Sequence, residues 1–146
     1  MPKIMLDKSI KAFKDHMSSI LDDPVVIGWP TDGSKSVHVI VYSVSEDVVL
    51  RNRVGTQDEI EIPLVISVLI FTNPENEYAI IDKVIQGLRQ NPIFETEGAR
   101  NNISPDGIRA EEIAQIFIAL NQPYQLCLPY KIRSHSTKPL TSAPLE

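Results

Sequence analysis

From Ile4 to Leu21 the apolar residues Leu6, Ile10, Phe13, Met17, Ile20 and Leu21 recur at helical spacing, with Lys and Asp residues opposite them. This pattern predicts an amphipathic helix. It should stop near Asp22, because Pro24 disfavours helical angles at Asp23, and the run Val25-Val26-Ile27 then favours a strand. Gly28 to Ser34 is dense in turn formers and reads as a loop, with Trp29 at its edge available to the core or to a contact. Val37 to Val44 is a strand with both faces largely apolar, which suits the centre of a sheet. Ile60 to Thr72 is a second long strand, with Pro63 at its first paired position or at an edge. The stretch between them, Ser45 to Glu59, is polar, reads as exposed and is too short for a helical crossover, so the two strands should pair antiparallel.

Asn73-Pro74-Glu75 reads as the start of a helix with Asn73 as N-cap, and Tyr78, Ile81, Val84, Ile85 and Leu88 form its expected buried stripe. Residues 95–107, rich in Gly, Asn and Pro, read as an irregular loop. Helical spacing returns from Glu111 to Leu120 through Ile113, Ile116, Phe117 and Leu120, and Gln122-Pro123 breaks it. Tyr124 to Ile132 alternates cleanly as a one-sided strand, where Pro129 argues for an edge or a bulge. The whole is an α+β domain: a single, mostly antiparallel sheet of about four strands packed with about three helices. The domain is expected over residues 1–133, with 134–146 as a polar, mobile C-terminal tail.

Composition narrows the chemistry. The chain of 146 residues suffices for one core without disulfides or metals, and its net charge of −5, with no Lys/Arg cluster in sequence, removes the counterion-release drive toward nucleic acid. Cys127 is the single cysteine and sits in an apolar strand, where a thiol behaves as a small hydrophobe rather than a nucleophile. The first residues lack the uninterrupted apolar stretch of a signal peptide, and Leu64 to Phe71 is too short to span a bilayer, so cytoplasmic synthesis and folding without a membrane role are expected. His16, His38 and His135 match no local metal-ligand spacing, and the glycines form no phosphate-binding motif. Asp22-Asp23 suits a turn better than acid/base work. No catalytic residue, cofactor, metal or small-molecule ligand is expected.

Two polar patches remain. Arg51, within Glu46 to Arg53, can hold a carboxylate of this or another chain through two parallel hydrogen bonds, or can simply be solvated. Leu120-Asn121-Gln122-Pro123-Tyr124-Gln125-Leu126 places two amides beyond Asn121 and a tyrosine at a helix-to-strand junction, where a satisfied turn is the plainer alternative.

These patches also carry a family resemblance. Val39 to Val44, then Glu46-Asp47 with Leu50-Arg51-Asn52, Pro63-Leu64, the helix from Glu75 to Leu88, Asn91-Pro92-Ile93-Phe94, and Leu120 to Leu126 running into Tyr130 resemble, in order and spacing over residues 4–133, the cap or tail-terminator proteins of extracellular contractile injection systems. Members often carry a further domain, for which no role is expected here. The resemblance implies a phage tail-terminator-like fold and a structural, non-enzymatic protein. It also implies a ring, a hexamer, that sits on the distal end of the inner tube and sheath and stops their polymerisation. Its partners would be itself and the tube and sheath subunits. It would be synthesised and assembled in the cytoplasm as part of a particle that can leave the cell. The interface candidates are Arg51, Asn52, Gln122, Tyr124, Pro129 and Tyr130, with Pro129 on an edge strand that accepts pairing in one register while limiting further addition. A tail-completion or head-to-tail joining protein of a true phage is the alternative, and a small hydrolase with an unrecognised site a more distant one.

Overall fold

The computed structural model describes residues 6–31, 35–47, 63–73, 75–96 and 98–136. Among these residues three helices and six strands follow in the order α1 (Leu6–Ile20), β1 (Val25–Ile27), β2 (Ser36–Glu46), β3 (Leu64–Asn73), α2 (Tyr78–Gln90), β4 (Ile93–Thr96), β5 (Ala99–Pro105), α3 (Ala110–Ala119) and β6 (Leu128–Ser136). All six strands form one sheet in the order β1-β2-β3-β6-β5-β4. The β1–β2 pair is parallel and the other pairs are antiparallel, including β2 with β3 as their short separation requires.

The sheet therefore exceeds the four strands expected from sequence. Ile93–Thr96 and Ala99–Pro105 pair antiparallel as a hairpin, with Gly98 just before the second strand at φ 78 in the left-handed region. Its second strand does alternate: Ala99, Asn101 and Ile103 are buried while Arg100 and Asn102 are exposed. The central inward residue is an asparagine, so a hydrophobic pattern does not reveal it. Its amide donates to the Phe94 carbonyl at 3.2 Å, which lets it enter the core.

Helix α2 begins later than Asn73, which instead ends β3. The Thr72 hydroxyl donates to the Glu75 carbonyl at 2.7 Å and accepts the Glu77 amide at 2.9 Å, holding the chain in a turn before the helix starts. The buried stripe shifts in phase to Ile80, Val84 and Leu88, leaving Tyr78 71% exposed and Ile85 41% exposed.

Strand β6 is also displaced, starting at Leu128 rather than Tyr124 and running to Ser136. Polar Ser134 sits within it because it finds a partner. Ser134 is buried and shares a 3.2 Å hydrogen bond with Ser9 of α1, while Arg133 reaches the buried carboxylate of Asp47 at 3.0 Å. Asp47 is thus a buried anchor rather than part of an exposed stretch.

The two faces of the sheet are covered unequally. On one, α1 and α2 pack Phe13, Met17, Val84 and Leu88 against Val37, Val39, Leu64, Ile66, Val68, Ile70 and Ile132. On the other, a smaller cluster of Leu69, Ile113 and Phe117 is flanked by Trp29, Tyr42, Ile108, Ile116 and Cys127. None of the described helices is long and apolar enough to cross a membrane.

Candidate interaction surface

Helix α3 lies over the second face, and its burial pattern determines what it leaves outside. Ile113 and Phe117, one turn apart, point inward, while Ile118 on the opposite side is 75% exposed. The helix ends at Asn121, whose φ of 56 places it in the left-handed region that asparagine tolerates better than most residues. There the Asn121 amide donates to Ile118 and the Gln122 amide to Phe117, satisfying carbonyls of the last turn. This reversal sends residues 122–127 back across the end of α3 toward β6.

The aromatic side chains build the support beneath. Trp29 lies 5.8 Å from Phe71 and 5.6 Å from Phe117 between ring centroids, and Phe117 lies 5.6 Å from Tyr124. His38 stacks on Phe71 at 5.6 Å. Its Nδ1–H donates to the Gly28 carbonyl at 2.9 Å, and its Nε2 shares a 2.8 Å hydrogen bond with the Ser36 hydroxyl. The row runs from buried His38 to Tyr124, which is 53% exposed. Tyr124 is therefore backed by a packed ring while its own face meets solvent, a favourable position for an interface anchor.

In the same stretch of chain Ile118, Leu120 at 43% exposure and Leu126 at 41% are exposed as well. Beside them a cleft of about 320 Å³ opens between α3 and the sheet, lined by Trp29, Ile40, Tyr42, Ile116, Ala119 and Leu120. Burial, then the nearby Asp106 carboxylate, raises the Tyr42 phenol above its ordinary value, so it stays a neutral hydroxyl at the cleft. Burial pushes the Cys127 thiol up to about 11, opposite to what a nucleophile requires. Among the described residues no group of three His, Cys, Asp or Glu side chains could hold a metal ion.

The sequence-based interface candidates separate in space. Gln122 and Tyr124 are exposed at this surface. Tyr130 is 5% exposed within the main core on the opposite face, where burial raises its phenol. Pro129 is half-buried on β6, which lies between β3 and β5 and is an interior strand. This corrects the edge-strand expectation. Pro129 is accommodated because its carbonyl accepts the Asp106 amide just past the β5 pairing, so its missing N–H faces the end of that ladder and costs no bond to β3. Arg51 and Asn52 lie outside the described residues. The exposed Ile118 lies outside the Leu120 to Leu126 patch, and its signal in the sequence is that it stands off the Ile113/Phe117 phase.

No family model and no curated protein matches this sequence. Solved structures do. The sheath/tube terminator of an extracellular contractile injection system, PVC, in its extended state, superposes with a TM-score of 0.67 at 16% identity, covering 100% of this chain and 64% of that one. The tube-terminating cap of the anti-feeding prophage gives 0.65 at 16% identity, covering 94% of this chain and 60% of the cap. This chain thus spans a little under two thirds of the length of either structure. Across the whole of its own length it has the fold of a contractile injection system's sheath/tube terminator.

Proposed function

We propose that this protein is a structural cap, a tail terminator, of a contractile injection system. In this reading it forms a ring on the distal end of the inner tube and sheath and stops their polymerisation. The observation that carries the reading is the whole-length fold correspondence with a sheath/tube terminator. A terminator must match the growing end on one side and refuse the next subunit on the other, which calls for distinct surfaces rather than a catalytic cleft. The exposed apolar residues Ile118, Leu120, Tyr124 and Leu126 at the end of α3 suit such a contact, with Tyr124 backed by the Phe117 ring. Work is done by contact and not by catalysis, in a particle assembled in the cytoplasm and able to leave the cell. The ring is a hexamer of this chain.

Deletion of the gene in a producing strain tests this. Tubes or sheaths of irregular length, or a collapse in the number of intact particles, are expected. Particles of normal length and number would rule the proposal out.

A further inference from the structure

Between the second half of α2 and the end of β5 a cleft of about 560 Å³ opens, walled by Ile85, Leu88, Pro92, Ile103 and Pro105. Two further residues give it polar side chains, Arg89 of α2 and Tyr130 of β6, the latter paired with Pro105. Asn102 and Ser104 also line it, but they flank the inward Ile103 on β5, so their side chains point to the other side of the sheet. The lining comes from separate elements and forms no motif in the sequence.

The Tyr130 hydroxyl points to a ligand. The residue is only 5% exposed, and its hydroxyl makes no hydrogen bond among the described residues. It is not among the polar atoms sealed away from solvent, so it opens on the cleft that the residue lines. Phenylalanine would fill the same space without a polar atom. The cleft beside α3 differs in this respect, since the Tyr42 phenol there hydrogen-bonds Ser67 and Asp106. Water serves Tyr130 poorly, because a held water needs about 2–4 polar partners and these walls are largely apolar.

Arg89 is exposed and forms no ion pair or hydrogen bond among the described residues. A cation in the last turn already complements the carbonyl end of α2, but that role leaves the guanidinium donors open to an anion. The neighbouring carboxylates do not supply one. Asp106 hydrogen-bonds Tyr42 beside the α3 cluster, and Glu95 follows the inward Phe94 on β4 and so faces the other side of the sheet. Asp82 lies two turns earlier on α2, about 10 Å along the helix axis.

We propose that this cleft binds a small amphiphilic monocarboxylate. Its apolar body lies between Ile85, Leu88, Ile103 and the two prolines, the Tyr130 hydroxyl donates to the carboxylate, and the long Arg89 side chain closes over it. The volume falls within the range of about 300–1,000 Å³ usual for small ligands. Burial raises the Tyr130 phenol, so it meets the carboxylate as a neutral donor. A polyanion fits less well, because Arg89 is the one cation lining the cleft, and an organic cation is repelled by it. The inference does not rest on the terminator reading.

Isothermal titration calorimetry with sodium decanoate, kept below its micelle concentration, tests the site, with decylammonium as the comparison of opposite charge. The wild-type protein should bind decanoate at one saturable site, about tenfold or more tighter than decylammonium. Arg89→Ala should weaken decanoate by about tenfold and Tyr130→Phe by about threefold, both with a normal thermal melt. Ile85→Glu should abolish binding and Ile118→Asp should leave it unchanged. Absence of saturable binding, equal binding of decylammonium, or full affinity in both Arg89→Ala and Tyr130→Phe would overturn the inference. Loss of binding in Ile118→Asp would move the site to α3 and overturn it too. Attachment to purified tube ends separates the two proposals: failure to attach by a protein that binds decanoate contradicts the terminator reading alone. A protein that caps tubes without binding decanoate contradicts the ligand site alone.

Discussion

On the α1/α2 side, the sheet meets two helices through a continuous layer that includes Phe13, Met17, Ile66 and Leu88, each at most 2% exposed. On the α3 side, one short helix closes a small aromatic cluster and leaves Ile118, Leu120, Tyr124 and Leu126 in solvent. The same strands serve both faces, so the difference lies in what covers them. The first face carries the stability of the fold. The second leaves apolar side chains on display, the division that the proposed contact role requires.

Removing a ring from each face should break the comparison most sharply. Phe13→Ala should destabilise the chain by about 3–5 kcal/mol in urea unfolding, because a fully buried ring leaves a cavity that two helices cannot close. Phe117→Ala should cost about 3 kcal/mol, the low end of that range, since its cluster is smaller and partly open. Hydrogen exchange should then show faster opening of residues 110–126 with little change in β2 and β3. Equal losses of protection in both regions would show that the faces are one cooperative unit.

Gly87 sharpens the comparison on the helical side. It lies where α2 approaches α1, and an added Cβ would meet Ile20 Cγ2. Alanine gains about 1 kcal/mol of helix propensity, yet overpacking costs about 1–3 kcal/mol, so Gly87→Ala should be neutral to destabilising by about 2 kcal/mol. A stabilised variant would mean that the α1/α2 packing is looser than described. On the α3 side, Tyr124→Ala and Ile118→Asp should each change folding stability by no more than about 0.5 kcal/mol, since both side chains are largely exposed. Association should suffer far more, with the Tyr124 truncation costing about 2 kcal/mol or more if it anchors the interface.

The smallest effect belongs to Cys127. The fold favours its neutral thiol, pushed up to about 11 from an ordinary value of 9.0. The raised value means that the unfolded chain loses this proton first. Its contribution to stability is therefore complete below pH 9 and disappears as pH rises toward 11. Thiol reactivity against pH should reach half its maximum near 11, and the stability difference between the wild type and Cys127→Ala should shrink over the same interval. Half-maximal reactivity near pH 9, the ordinary value, would show the site to be open.

Much of this architecture can be read from periodicity. The amphipathic helix before Pro24, β2 with both faces apolar, and its antiparallel pairing with β3 all follow from local pattern and short connections. The β4–β5 hairpin could not be read this way, because its inward asparagine is paid for by a hydrogen bond to Phe94 that only the folded chain makes. The extension of β6 to Ser136 has the same origin, since Ser134 and Arg133 are held by partners distant in sequence. The candidate surface was half legible. Gln122 and Tyr124 stood out as polar and aromatic residues at a junction, but the exposure of Leu120 and Leu126 depends on the turn at Asn121. The strand position of Pro129 depends on pairing partners on both sides, which one strand's sequence does not specify.

The most direct test of the central claim is electron microscopy of purified tubes and sheaths incubated with the wild-type protein and with Tyr124→Ala. The account predicts rings of wild-type protein on one end of the tubes, no further growth from that end when fresh subunits are added, and loss of both with a variant that melts normally. Bare ends that continue to elongate in the presence of folded wild-type protein would contradict it.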